Sequence, residues 1–431
     1  MKTDYFRWSA ALSNDAVLRR LQPADGALPD AVVAQARAIL DAVRTQGDAA
    51  LIDYSARFDK AELTPETIRV SQAEISASAS QAAPDLRAAI DLAIANVRAF
   101  HALQKPRNVK QEAQGGGLLE LIWRPVAAAA LYVPGGRAAY PSTVIMNAVP
   151  AMEAGVPRIA VFTVPGTIES NPAVAYALQA LGLTEVYRVA GAQAIGAAAF
   201  GTESVAPVQV IVGPGNAWVA AAKREVYGRV GIDSIAGPSE VLILCDDTAK
   251  ADWVALDMMA QAEHDPMARV VVACTDEAKL QEILASFIRQ TENSPRAEII
   301  RTSWLDHGLA LLAENTDELL DICTRMAPEH LQVILRHSPA PHAFVAGAMF
   351  FGNYAPTAAG DYIAGPNHVL PTGGSARFAG PLGVQTFMRP STVVLGTAAM
   401  MNAIAGAGAV LADHERLPAH AAALRARISG E

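Results

Sequence analysis

The order of apolar and polar positions changes character partway along the chain. Over 28–59, LPDAVVAQARAILDAVRTQGDAALIDYSARFD places Val32, Val33, Ile39, Leu40 and Val43 at helical spacing. Pro29 stands near the start of this run, and Gly47 breaks it. A second helical stretch is predicted over 71–103, then a turn at 115–117 and a strand within QGGGLLELIWRPV (114–126). From 126 onward short apolar runs alternate with helical ones. VAAAALYVP, RIAVFTVP, EVYRVA and VQVIVGPG read as buried strands, separated by YPSTVIMNAVPAMEAG, NPAVAYALQALG and AQAIGAAAFG. After NAWVAAAKREVYGRV (216–230) the alternation resumes. EVLILCD, ARVVVACT, HGLALLAE, HLQVIL and AMFFGNY are strand candidates, with helices expected over 248–264, 276–290 and 316–326. Such β-α alternation is the signature of parallel sheets covered by helices on both faces.

Two consecutive α/β units follow, 126–237 and 238–354, with the helical N-terminal part packed against one of them. The last segment, 385–431, looks helical and separate. Within it, 392–412 (TVVLGTAAMMNAIAGAGAVLA) carries no charge and lacks flanking Lys or Arg clusters, so a small-residue buried helix is expected rather than a membrane span.

Composition narrows the function classes. The chain has 431 residues, 52% hydrophobic and 18% charged, which excludes intrinsic disorder. With 34 Lys+Arg against 43 Asp+Glu, the net charge is −9, and no basic run offers a nucleic-acid face. Cys245, Cys274 and Cys323 are odd in number and form no CxxC pair, so neither a disulfide framework nor a Cys-type zinc knuckle fits. Buried reduced thiols in a reducing compartment, hence a cytoplasmic location, are expected. Charges at Lys2, Asp4 and Arg7 interrupt the first residues, which do not read as a signal peptide.

Ligands of open parallel sheets bind at the carboxyl ends of strands, so the loops after strands are the first place to look. YVPGGRAAYPSTV (132–144) and GPGNA (213–217) each run from strand to helix, as a phosphate-binding turn would, but neither is GxGxxG. AGPSE (236–240) offers Ser239. QAEHD (261–265) places Gln261 and His264 three apart on one helix face. Ligand chemistry alone favours His264 with a carboxylate, since Gln is an uncommon zinc ligand, although Glu263 points elsewhere. PEHL (328–331) sets an acid beside a base, Glu329 and His330, just before a strand. AAGDYIAGPNHVLPTGG (358–374) is a polar, glycine-rich loop with Asp361 and His368. HERLPAH (414–420) is not HExxH, so the zinc-peptidase reading fails. His264, Asp361 and His420 or His414 would suit Zn²⁺ better than Mg²⁺. This reasoning reaches an α/β enzyme compatible with zinc and a nucleotide, and no substrate.

Taken together, these segments resemble the histidinol dehydrogenase family. The resemblance runs from GDAALIDYSARFD (47–59) through LYVPGGRAAYPSTV, VAGAQAIGAAAFGTESV, VGPGNAWVAAAKR, IDSIAGPSEVLIL, AQAEHD, APEHL and GDYIAGPNHVLPTGG to ERLPAH. It implies zinc ligands at Gln261, His264, Asp361 and His420, overruling the preference for Glu263. It implies a catalytic pair at Glu329 and His330. It places substrate contacts at Ser239, His368 and Glu415 beside the zinc ligands and His330, and NAD⁺ contacts at Tyr132, Gln193 and Asn216. Pro366 stands where a smaller residue is expected, which bears on local loop shape.

The implied fold class is α/β, with two incomplete Rossmann-like parallel-sheet domains and small helical terminal extensions. The implied domains are an N-terminal extension (1–25), a zinc-binding and catalytic domain (26–130 with 238–384), an NAD⁺-contacting domain (131–237) and a C-terminal tail (385–431). The implied reaction oxidises L-histidinol to L-histidine through L-histidinal with two NAD⁺, in a homodimer whose tails reach the neighbouring site, so that Glu415 and His420 act in trans. His330 would take the alcohol proton, and Glu329 would activate water for the second oxidation. Competing expectations are a same-fold dehydrogenase of another small alcohol, a zinc hydrolase using Glu329, and a catalytically silent binding protein.

Overall fold

The computed structural model describes residues 4–12, 14–21, 28–135, 140–235 and 237–428. Among these residues three sheets form. A six-stranded sheet orders Phe6–Arg7, Leu309–Leu312, Arg269–Cys274, Glu240–Cys245, His330–Ile334 and Ala348–Phe351, all parallel. A five-stranded sheet orders Glu185–Tyr187, Arg158–Thr163, Ala128–Val133, Val210–Val212 and Gly231–Ile232, again all parallel. The third is antiparallel: Met388–Leu395, Leu118–Pro125 and Val109–Glu112. Ala128–Val133 and Glu240–Cys245 are buried at every residue, as strands covered on both faces must be. The α/β class with two parallel sheets therefore holds.

The helical N-terminal half differs in detail from expectation. Asp30–Gln46 and Asp48–Tyr54 flank Gly47, whose φ of +57° suits glycine and whose Cβ would lie 2.1 Å from the Glu203 carboxylate. The stretch 71–103 splits into Gln72–Ala79, opened by a Ser71/Glu74 capping box, and Pro84–Ala102. The split falls where Pro84 starts a new helix, its missing N–H costing nothing there.

Helices within 26–130 pack toward the five-stranded sheet and also meet part of 238–384, since Ile75, Ile90 and Val97 share a core with Val369, Leu382 and Val384. Val33, Leu40 and Val43 share a core with Ala130, Ile195 and Val219, and Ile75, Ile90 and Val97 share one with Leu131, Val133 and Val144. The apolar stripes of these helices thus cover the helices of the five-stranded sheet. The N-terminal extension joins the other sheet: Phe6–Arg7 pairs its edge, and Trp8, Val17 and Leu21 pack with Leu311. Residues 1–3, 13 and 22–25 of that extension lie outside the described residues.

The uncharged segment 392–412 is not a buried helix. Residues 392–395 belong to the strand Met388–Leu395, and the helix Ala398–His414 starts after Thr397, which caps it. That helix buries Met400, Ala405, Ala409 and Ala412, leaving Val410 and Leu411 exposed. Its small residues Ala409 and Ala412 cluster with Ala421 of the helix Pro418–Arg425, while its first turn packs against Gly115 and Gly117. Among the described residues no helix is long and apolar enough to cross a membrane.

Candidate active site

The acid–base dipeptide sits at the amino edge of the six-stranded sheet, not the carboxyl edge where ligands of open parallel sheets usually bind. His330 opens the strand His330–Ile334, and Glu240 opens its neighbour, with His330 in register with Val241. Ser239 immediately precedes that second strand and is partly exposed. Gln261 lies in the last turn of the helix Ala251–Ala262, which returns from the end of one strand to the start of the next; His264 follows it. Asp361 comes from the short helix Thr357–Tyr362. The edge differs from expectation because loops entering the strands, not leaving them, carry the polar groups.

These side chains are tightly linked. Glu329 Oε2 accepts a hydrogen bond from the Glu240 backbone N–H (2.9 Å). His330 Nδ1 lies 3.2 Å from the Glu240 carbonyl and 3.7 Å from Glu329 Oε2, while its Nε2 lies 3.4 Å from Asp361 Oδ1. That last separation is an ionic contact rather than a formed hydrogen bond, and Nε2 is left buried without a partner. Burial pushes the Glu329 carboxyl up to about 7, with His330 opposing it. For His330 burial acts downward, but the Glu329 and Asp361 carboxylates outweigh it and raise the imidazole. The Asp361 carboxyl is held low: burial opposes this, and His330, His368 and His264 together prevail. His368 Nδ1 is 2.8 Å from the Asp361 carbonyl, and its Nε2 is buried and unpartnered.

The three dinucleotide candidates lie at the carboxyl edge of the other sheet. Tyr132 is buried near the end of its strand, and its hydroxyl accepts from the Gly191 N–H (3.1 Å). Gln193, in the helix Gly191–Phe200, is 1% exposed with an unpartnered Oε1. Asn216 caps the helix Ala217–Val226, its Oδ1 accepting from Trp218 and Val219 N–H (both 3.1 Å). Gly213, with φ +114°, packs so closely that a Cβ would lie 2.2 Å from the Tyr132 carbonyl. A buried ion pair braces this turn: Lys223 contacts Asp233 and the Gly213 carbonyl, and Asp233 Oδ2 accepts from the Gly213 N–H (2.8 Å). Residues 136–139 of the other expected turn, and Ala236, lie outside the described residues.

The two edges meet. Asn367, beside His368, donates to the Met146 carbonyl (2.6 Å) in the helix Pro141–Ala154. Asn96 donates to the Ile363 carbonyl (2.8 Å), and Tyr140 is near enough to Tyr362 to perturb its hydroxyl. Glu415 and His420 do not join the cluster; both are exposed, one at the end of the helix Ala398–His414 and the other in Pro418–Arg425. His414 likewise ends the first of these helices. Glu263 faces Arg296 at 4.0 Å.

The donor set fits a zinc ion. Gln261 is 3% exposed, yet its amide nitrogen has no hydrogen-bond partner, an uncommon situation for a buried polar atom. An amide nitrogen offers a metal no lone pair, so the side-chain oxygen would be the ligating atom. Although solvent touches His264, the protein around its ring lowers its pKa and favours the neutral imidazole a metal requires. Among the described residues no three His, Cys, Asp or Glu side chains of the single chain gather closely enough to hold a metal.

Sequence reasoning passed over two groups. Glu240 stood in AGPSE as a mere flank of Ser239, although a charge directly before the apolar run VLILC was a signal. Asp257, one turn before Gln261, is buried and accepts from Gln332 Nε2 (2.7 Å). Its place on an otherwise apolar helix face was the signal.

Two parallel sheets covered by helices, with a buried acid–imidazole pair at the amino edge of one and a glycine-shaped strand–helix turn at the carboxyl edge of the other, define an α/β enzyme. The family model of histidinol dehydrogenase matches residues 25–428. The chain is 45% identical over 402 residues to the histidinol dehydrogenase of Cereibacter sphaeroides, covering 93% of this chain and 92% of that one. It is 45% identical over 413 residues to that of Gluconobacter oxydans, covering 95% of each. The crystal structure of histidinol dehydrogenase from Elizabethkingia anophelis superposes with a TM-score of 0.89 at 34% identity, covering 96% of both chains. The chain belongs to the histidinol dehydrogenase family.

Proposed function

We propose that this chain oxidises L-histidinol to L-histidine through L-histidinal, the last step of histidine biosynthesis, with two NAD⁺ used per turnover. The observation that carries the reading is the buried pair Glu329–His330, with Nε2 beside Asp361, whose carbonyl in turn meets His368 Nδ1. Gln261, His264 and Asp361, with His420 from a second copy, would hold zinc. When bound, the ion supplies a docking point for the substrate's imidazole and amine nitrogens. Tyr132, Gln193 and Asn216 would hold NAD⁺, whose chemistry is hydride acceptance, once in each oxidation.

The residues divide the proton chemistry. His330 keeps Nδ1 on the Glu240 carbonyl, which leaves Nε2 to take the alcohol proton. Glu329, with its carboxyl lifted to about 7, has the basicity a water-activating group needs near neutral pH. It would activate water on the aldehyde, so that a second hydride can leave the hydrate. Ser239, His368 and Glu415 would contact the substrate. His368 presents an unpartnered Nε2 for that purpose.

The assembly we propose is a homodimer with shared sites. Leu395, Val410, Leu411 and Leu417 are exposed on the C-terminal segment, which suits contact with a second subunit. The free, buried Cys245, Cys274 and Cys323 suit a reducing, cytoplasmic setting.

The test is stoichiometric. Zinc-loaded protein is given limiting L-histidinol and excess NAD⁺, and NADH formed per histidinol consumed is counted. Two NADH, histidine as product and loss of activity on chelation are expected. One NADH would overturn the role of Glu329, and none would overturn the substrate.

A further inference from the structure

We infer that Glu240 is a positioning residue that sets the geometry of both members of the catalytic pair; this rests on the proposed roles of Glu329 and His330. Both side chains anchor on the backbone of this one residue. Its N–H holds Glu329 Oε2 at 2.9 Å, and its carbonyl lies 3.2 Å from His330 Nδ1. The carbonyl can only accept, so Nδ1 carries a proton in either charge state of the ring, and Nε2 is the nitrogen that gains or loses one. The Glu240 main chain, through the peptide groups on either side of its Cα, therefore fixes the carboxylate position and the Nδ1 proton together.

The Glu240 carboxylate in turn fixes that stretch of main chain. It is 1% exposed and sits 3.2 Å from Arg269 Nη1 on the adjacent strand. Charge neutralisation would need nothing more. Yet Oε1 also accepts from the Glu329 backbone N–H (3.3 Å), so the two glutamates hold each other reciprocally, carboxylate to N–H in both directions. The backbone N–H groups of Gly373 and Gly374 point to the same carboxylate. Those glycines end the loop that carries Asp361 and His368. One carboxylate thus ties together the strand after Ser239, the dipeptide Glu329–His330 and the loop of Asp361. Every partner it has is a donor, so a neutral amide in its place would set N–H against N–H.

The test uses zinc-loaded, full-length protein with Glu240→Gln, which keeps size and removes the all-acceptor character. Displacement of a reacting group by about 1 Å costs roughly 10²-fold in rate. We expect kcat for L-histidinol to fall by about that factor. KM for L-histidinol and for NAD⁺ should stay within about twofold, because ground-state binding uses other residues. Zinc content should stay near that of the parent protein, while the thermal midpoint should fall because Arg269 loses its buried partner. A purely structural role would instead lower zinc content and raise both KM values; that result overturns the inference, as does an unchanged kcat. If Glu240→Gln does not purify folded, Glu240→Asp is measured the same way. It keeps the charge but draws it back by one methylene, and the same split between kcat and KM is expected. Glu329→Gln is run alongside. If that variant keeps full activity, the catalytic pair itself is misassigned and the inference falls with it. If it loses activity while Glu240→Gln does not, only the role of Glu240 falls.

Discussion

The six-stranded and five-stranded sheets are built alike and used oppositely. Both are wholly parallel and buried between helices. The first gathers its polar groups at the amino edge, where Glu240, Glu329, His330 and Asp361 touch one another. The second gathers Tyr132, Gln193 and Asn216 at the carboxyl edge, where the Tyr132 hydroxyl meets the Gly191 N–H and Asn216 caps its own helix, with no hydrogen bond joining the three side chains. An interlinked cluster suits a site that must keep one substrate through two oxidations. Separate contacts suit a site that must release one dinucleotide and admit another in between. The shared architecture shows that sheet topology does not choose the working edge; the direction from which polar loops enter does.

The sharpest way to break this contrast is Glu329→Gln. Oxidation of L-histidinal should slow by about 10³-fold, since general-base groups contribute roughly 10²–10⁴. Oxidation of L-histidinol to the aldehyde should change by less than about fivefold on the same scale, with zinc content intact. Separate half-reaction assays read both values, and equal losses would dissolve the division of labour between Glu329 and His330.

Next in size are the metal positions. His264→Asn and His420→Asn should each lose zinc and activity. In an equal mixture of the two variants, random pairing into symmetric dimers restores about one site in four if His420 acts across the interface. Activity after dissociation and remixing gives the answer, and no recovery would place both ligands in one subunit.

A smaller effect tests the other edge. Tyr132→Phe removes the acceptor for the Gly191 N–H, worth about 1 kcal/mol for a neutral hydrogen bond. KM for NAD⁺ should rise by about fivefold with kcat unchanged, because each contact there acts alone. A matching fall in kcat would mean that this edge is as interlinked as the first.

The last prediction concerns stability. Burial raises the Asp257 carboxyl from 3.8 to about 6, so the folded state prefers its neutral form. Its contribution is present at low pH and is lost as pH rises from 3.8 through about 6. Asp257→Asn, which still offers an oxygen to Gln332, should be more stable than the parent at pH 8, by at most about 3 kcal/mol. The gain should shrink below pH 5. Urea midpoints at both pH values measure it.

Much of the fold was legible because strands buried on both faces write unbroken apolar runs. Val210–Val212 and Leu309–Leu312 were found this way. Gly231–Ile232 and Phe6–Arg7 were not, since two residues leave no pattern. Val109–Glu112 escaped because VKQE is exposed throughout, and the helix Ala297–His307 went unread between two clearer elements. Residues 392–395 looked helical because nothing local announces their pairing with the strand Leu118–Pro125. In the site, motifs located Glu329, His330 and Asp361. They could not say which sheet edge these residues occupy, because that depends on how distant loops dock. Nor could they show that Glu240 joins them, because its role lies in its main chain as much as in its side chain.

The meeting of opposite edges has an electrostatic consequence. At the carboxyl edge of a parallel sheet the covering helices present their amino ends, as Ala217–Val226 does at Asn216. At the amino edge they present their carboxyl ends, as Ala251–Ala262 does next to His264. Each peptide array carries roughly half a unit charge at either end, positive at the first and negative at the last. The two edges are therefore oppositely polarised by the backbone alone. The positive edge suits the pyrophosphate of a dinucleotide, and the negative edge suits a divalent cation and a protonated amine, before any ionised side chain is counted.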